Sequence, residues 1–348
     1  MSSGKATMYG GQAVIEGVMM RGSGHFAVAC RRATGDIALT CEPVPKILRP
    51  AWQKWPLLRG AFALVDSMAL GTRSLFWAAK VAEADIPRSE DRADVRHAEE
   101  TAGLGIGAVA APDTSPDATP NTKAPSRVSD VALGGAMATG LLLAIGLFKV
   151  LPQILLEFFK RAGVAPGWKL GLIDAALRFA IFFGYIGFVG RMKHVQRVFQ
   201  YHGAEHKAIN ALEAVGAAHL NLTAARQASR LHPRCGTSFV VIVLLLSVIA
   251  TSPFYGLPVW QRIPIGILML FPVAGVSFEL LRLAGKYRAN PLANALSRPG
   301  MWTQLLTTRE PDDTQLEVAL ASLKAVMDAE RTEPKLGGEG NKGQAAVA

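Results

Sequence analysis

Cysteine is scarce in this sequence. Cys30, Cys41 and Cys235 are the only three among 348 residues, an odd and scattered set that offers no disulfide framework and suits a reducing compartment. Charge is scarce too. Asp, Glu, Lys and Arg make up 18% of the chain, against roughly 25% in an ordinary soluble domain, while 50% of the residues are hydrophobic. The first 24 residues lack an apolar core, so no cleaved signal peptide is expected. Motifs of nucleic-acid recognition and runs of interleaved basic and aromatic residues are also missing, so nucleic acid is not an expected partner despite a formal net charge of +10. Anionic lipid headgroups account for the cationic excess more simply.

What the sequence has in abundance is long apolar runs. A mean hydropathy of +0.24 in a chain that also carries polar stretches means that the apolar residues are concentrated. Residues 131–156 and 170–189 are each apolar over enough length to cross the ~30 Å hydrocarbon core at about 1.5 Å per residue. Residues 236–250 are shorter but almost wholly apolar, and 263–283 follow after a turn-rich stretch with Pro253, Gly256 and Pro258. The expected fold is therefore mainly α, a polytopic helical membrane protein with about four transmembrane helices in the lipid bilayer. The alternative, four buried core helices of a large soluble protein, fits poorly because such helices rarely stay apolar for so long. The loop between the second and third runs carries Arg191, Lys193, Arg197, Lys207, Arg226, Arg230 and Arg234 against Glu205 and Glu213. That bias predicts a cytoplasmic loop, and an even number of spans then puts both termini on the same side. Lys286, Arg288 and Arg298, just past the fourth run, agree.

Outside the apolar runs, a small β-containing module is expected over residues 1–50. There Phe26, Val28 and Cys30, then Ile37, Leu39 and Cys41, alternate with other residues around Thr34-Gly35-Asp36, the pattern of a β-hairpin. In 51–83 the charges Arg59, Asp66, Arg73 and Lys80 recur every seven residues and lie along one helical stripe. An amphipathic interfacial or re-entrant helix is favoured there over a fifth span, since three cations and an Asp are costly in lipid. Residues 84–129, rich in Asp, Ala, Thr and Pro, read as a disordered linker. The membrane domain is expected over 130–310. In 311–348, Asp312 or Asp313 can cap a helix with Leu316, Leu320, Leu323 and Met327 on one face, ahead of a disordered tail from Glu333.

The residues suited to chemistry lie in Tyr201-His202-Gly203-Ala204-Glu205-His206-Lys207 and, about 25 residues on, in His232-Pro233-Arg234-Cys235-Gly236. On a helix, His202 and His206 share a face with Glu205 beside them, an H-x-x-E-H arrangement able to aim two imidazoles at one metal. His232 and Cys235 add an imidazole and a soft thiolate, so zinc is the expected ion, with another divalent metal as the alternative. A hydrogen-bonded structural cluster, or unrelated surface residues, would account for the same spacing. If His202, His206, His232 and Cys235 all bind, the site is closed and structural; if three bind, a water takes the fourth position. Glu205 favours the open site, as a carboxylate placed to act as general base. The expected activity is that of a zinc-dependent hydrolase with a lipid-linked or peptide substrate. The rival is a non-enzymatic assembly or regulatory factor, or a transporter component, holding a structural metal.

A second candidate is the Gly-rich run from Gly10 to Gly22, in which Gln12, Glu16 and Arg21 are the polar groups. It lacks the spacing of a phosphate-binding loop, and a turn packing the hairpin onto the rest of the protein explains it as well as a binding role does. Glu279, within the fourth apolar run and three residues before Arg282, is a further candidate, since an intramembrane carboxylate faces protein, water or a partner cation.

These stretches, with Thr237-Ser238-Phe239 after the second cluster and Thr307-Thr308-Arg309-Glu310-Pro311 near the end, resemble the bacterial YqhQ-like family. That family is a domain of unknown function, described as a predicted metal-dependent membrane enzyme. The resemblance covers most of the chain apart from 84–129, which is longer and richer in Pro and Thr than the family pattern. It implies a multi-pass protein of the bacterial cytoplasmic (inner) membrane. It also implies functional roles for His202, Glu205, His206, His232 and Cys235, with Gln12 and Glu16 in a second site.

Overall fold

A computed structural model of the chain describes residues 9–45, 58–85, 130–233, 235–286 and 291–332. Most of the expected linker, the tail from Glu333, Arg234 and Arg288 lie outside the described residues. Four strands come first: β1 (Gly10–Val14), β2 (Gly17–Arg21), β3 (His25–Arg31) and β4 (Ile37–Pro43). The helices are α1 (Leu58–Ala84), α2 (Asp130–Ile145), α3 (Leu151–Arg161), α4 (Trp168–Val189), α5 (Lys193–Val215), α6 (Leu222–Gln227), α7 (Gly236–Thr251), α8 (Val259–Leu268), α9 (Leu270–Lys286), α10 (Pro291–Thr307) and α11 (Asp313–Thr332). A π-helical segment, Gly146–Val150, joins α2 to α3.

The strands pair antiparallel in sequence order. The expected hairpin is β3–β4, with Ala29 opposite Leu39 and Gly35 at φ +94° in the turn. The Gly-rich run is a hairpin of its own, β1–β2, with Gly10 opposite Arg21 and Val14 opposite Gly17. Both faces of the sheet are covered. Phe26, Val28 and Cys30 alternate onto one face and pack with Leu70 and Ala78 of α1. Val18, Met20, Ala27 and Ala29 point the other way and pack against Ala204, Ala208, Leu316, Leu320 and Leu323 of α5 and α11. The small side chains of Ala27 and Ala29 let α11 approach closely enough for Ser322 to donate a hydrogen bond to the Ala27 carbonyl at 3.0 Å. The cap of α11 is Asp312. Its carboxylate accepts the Gln315 N–H at 2.9 Å while the Gln315 side chain accepts the Asp312 N–H at 3.0 Å, a reciprocal capping box.

Three helical stretches, Ala138–Arg161, Trp168–Val189 and Gly236–Phe254, are long and apolar enough to cross a membrane. Val259–Leu268 and Leu270–Leu283 make a fourth if the pair, bent by 45°, is one span. Two details differ from the sequence reading. The first span runs on past residue 156, through the π-helical segment, to Arg161. The fourth is broken at Met269, because Pro272 has no N–H for the Leu268 carbonyl and its ring crowds that oxygen. Helix α1, by contrast, runs unbroken for 27 residues. Near its start Arg59 grips Glu279 of α9 through two bonds of 2.5 Å, and further on Arg73 reaches Glu42 of β4 at 2.5 Å. One helix thus ties the sheet to the membrane-type helices.

Candidate metal centre

Helix α5 presents His202 and His206 on one face, with ring centroids 4.5 Å apart. Cys235 comes in from the N-cap of α7, where its sulfur accepts from the Thr237 N–H at 3.5 Å and the Thr237 hydroxyl at 3.3 Å. His202 Nε2 lies 3.2 Å from Cys235 Sγ. One ligand atom from each of His202, His206 and Cys235 falls within 4.8 Å of the others, so these three could hold a metal ion.

The rings are oriented for that use. His202 Nδ1 lies 2.9 Å from the Thr307 carbonyl, and His206 Nδ1 lies 2.6 Å from the Arg230 carbonyl. A carbonyl oxygen only accepts, so in each hydrogen bond Nδ1 carries the proton, and in the neutral ring Nε2 keeps its lone pair. A metal-binding histidine is held in the same way, one nitrogen anchored to a backbone oxygen and the other free to coordinate. Two imidazoles and a thiol form a donor set suited to zinc.

Glu205 is buried between α5 and the sheet. The Gly11 N–H of β1 donates to its carboxylate. A Cβ added at Gly11 would stand 2.9 Å from Glu205 Cγ and 2.5 Å from the Met19 carbonyl, so only glycine lets β1 come this close. Burial pushes the Glu205 carboxyl up to about 7, against the opposing pull of His202 and of the Gly11 N–H. The N-terminal Gly-rich run and the His/Glu motif, separate in the sequence, are therefore one neighbourhood.

His232 stands one ring further out. Its centroid is 5.7 Å from that of His206, and its Nε2 faces Glu213 Oε1 at 3.9 Å. It lies outside the three-residue group. Its backbone is clamped by Gln304 of α10, which accepts the His232 N–H and donates to the His232 carbonyl, both at 2.8 Å.

The end of α10 and the segment after it complete the frame. Thr307 supplies the carbonyl for His202, Thr308 the carbonyl that Arg230 binds at 2.5 Å, and Glu310 pairs with the buried Lys207. The Arg309 carbonyl presses on Gly203 where any Cβ would collide, which explains the glycine within the H-x-x-E-H motif. Gln304 carries no chemical signature in the sequence. For Thr307 and Gly11 the only signal was their place in stretches typical of the family, Gly11 within the Gly-rich run.

The remaining candidates, Gln12, Glu16, Arg21 and Glu279, are not gathered into one cluster. Gln12 packs against Gly71 of α1. Glu16, in the turn of the β1–β2 hairpin at φ 51°, receives Arg197 Nε at 2.5 Å and the Tyr201 hydroxyl at 3.4 Å. Arg21 ends β2 opposite Gly10 and Phe26. Glu279 pairs with Arg59 and, at 3.7 Å, with Arg282.

A mainly helical chain with three or four candidate membrane spans, a small antiparallel sheet and a His/Cys group at their junction defines the class. The chain belongs to the family described as "Protein of unknown function (DUF1385)", whose pattern it matches over residues 55–329. It is 32% identical over 331 residues to the "Uncharacterized protein YqhQ" of Bacillus subtilis (strain 168), across 92% of this chain and 93% of that protein. No solved structure matches.

Proposed function

We propose that this protein is a zinc-dependent, hydrolase-like membrane enzyme. In this reading His202, His206 and Cys235 hold the metal and Glu205 is the general base. The observation that carries the reading is the convergence of two oriented imidazoles and one thiol beside a buried carboxylate. Three protein ligands leave a position open, as catalytic zinc sites do. A zinc ion held there by His202, His206 and Cys235 would supply Lewis-acid polarisation and an activated water near neutral pH. Thr307 and Arg230 keep the two Nε2 atoms aimed inward through their carbonyls. Glu205 takes the proton on a carboxylate oxygen and, screened from solvent by β1, returns it to the leaving group. In this reading the centre lies at the cytoplasmic face of the bacterial inner membrane, with both termini on that side. Arg191, Lys193, Arg197, Lys207, Arg226 and Arg230 between the second and third spans support this orientation. A lipid-linked or peptide substrate would reach it there.

One observation favours a second reading, a structural metal in an assembly factor or transporter component. His232 lies close enough to His206 that a modest shift would bring a fourth ligand. Two variants separate the readings. On the enzyme reading Glu205→Gln retains zinc but fails to complement a deletion strain, whereas His206→Ala loses the zinc itself. A fully complementing Glu205→Gln would refute the general-base role and leave the structural site.

A further inference from the structure

The membrane-type helices contain a polar seam that the metal centre does not use. Lys149, Gln153, Glu157 and Lys160 recur at helical spacing on one face of the first span. Across from them Asp174 accepts Arg178 Nε at 2.8 Å and the Tyr255 hydroxyl at 2.8 Å. Glu157 accepts Arg262 Nη2 at 2.7 Å and stands 3.5 Å from Lys160 Nζ. Lys149 lies within electrostatic reach of Arg178 and Asp174. The deep end of the seam is the π-helical segment, a feature often found at functional sites. Both that segment and α3 pack against α4 and α8, so the seam is continuous.

Charge and hydrogen bonding are both incomplete. Among the described residues, Glu157 and Asp174 are the carboxylates paired with or near Lys149, Lys160, Arg178 and Arg262, and Lys160 also donates to the Leu257 carbonyl at 3.2 Å, so four cations meet two carboxylates in a low-dielectric setting. Arg262 is 3% exposed, and its Nε and Nη1 have no hydrogen-bond partner among the described residues. A buried guanidinium with two unpartnered nitrogens, three N–H in all, is a costly arrangement unless an acceptor arrives. Ile154, Phe158 and Trp260, next to these residues in sequence, are large, apolar and exposed.

We propose that the seam binds an oxyanion, the phosphate group of a membrane amphiphile, seated on Nε and Nη1 of Arg262. The excess of two positive charges matches a phosphate, planar guanidinium donors suit its oxygens, and the apolar surround suits acyl chains. The site lies at the far end of α7 from Cys235. The sixteen residues of Gly236–Thr251 put it about 24 Å from the metal centre at 1.5 Å per residue. It needs no metal and stands apart from the proposed hydrolysis.

The test is thermal unfolding of the full-length protein in detergent, titrated with dioctanoyl phosphatidic acid, dioctanoylglycerol and inorganic phosphate. Phosphatidic acid should raise the midpoint saturably, and dioctanoylglycerol should not. Arg262→Lys should weaken half-saturation about tenfold or more, the loss expected for charge-assisted hydrogen bonds. Glu157→Gln, which removes the competing carboxylate, should strengthen it. Inorganic phosphate acting as well as the lipid would keep the site and identify free phosphate as the source. No shift with either phosphate, equal shifts with dioctanoylglycerol, or an unchanged response in Arg262→Lys would overturn the proposal. If Arg262→Lys does not fold, unchanged or weaker binding by Glu157→Gln overturns it.

Discussion

Gln304 is the residue on which the loop from His232 to Cys235 depends. It is fully buried and bonds both backbone groups of His232, so Gln304→Leu would strand the His232 N–H and leave its C=O with only the 3.3 Å bond from the Cys235 N–H. A stranded buried N–H costs roughly 1–3 kcal/mol. The expected outcome is a lower thermal midpoint together with weaker metal retention, measured as zinc per protein after dialysis against a chelator. Unchanged zinc retention would show that Cys235 is positioned by α7 alone. Sequence spacing identified His202 and His206, because an i,i+4 pair on a helix shares a face whatever surrounds it. It could not rank His232 against Cys235, since their distances to the α5 histidines depend on how Gln304 folds the intervening turn. Nor could it find Gly11, whose contact with Glu205 joins positions 194 apart in sequence.

Among the elements, those with a local signal were the legible ones. Phe26, Val28 and Cys30 alternate, and they share a face of β3. Leu316, Leu320, Leu323 and Met327 recur at helical spacing, and they are buried on α11. Two features visible in the sequence were still missed. Pro272 foretold the break in the fourth span, and Lys149, Asp174 and Arg178 stood out as charges within apolar runs. What the sequence could not show is that α11, from the far end of the chain, closes the sheet against α5. Its N-terminal cap offers a test at this scale. Asp312→Ala removes the acceptor for the Gln315 N–H and should cost about 1 kcal/mol, read as a lower unfolding midpoint, whereas Asp312→Ser should retain most of it. Equal losses in the two variants would mean that the contribution of Asp312 is not capping.

In the whole molecule, α1 links a layer built from the sheet, α5 and α11 to the membrane-type helices, and the group of His202, His206 and Cys235 sits between the two. The proposed orientation makes the layer cytoplasmic. A cysteine placed at Ala217, which is exposed just after α5, should then resist an impermeant thiol reagent in intact cells and react once the membrane is opened. Labelling from outside would reverse the topology. The account stands or falls on the coordination of the metal, which X-ray absorption at the zinc edge of detergent-purified full-length protein measures directly. It predicts about two nitrogen ligands near 2.0–2.1 Å, one sulfur near 2.3 Å and one further light-atom ligand from solvent. A shell of three imidazole nitrogens and one sulfur with no solvent ligand, or protein purified without bound metal under chelator-free conditions, would contradict it.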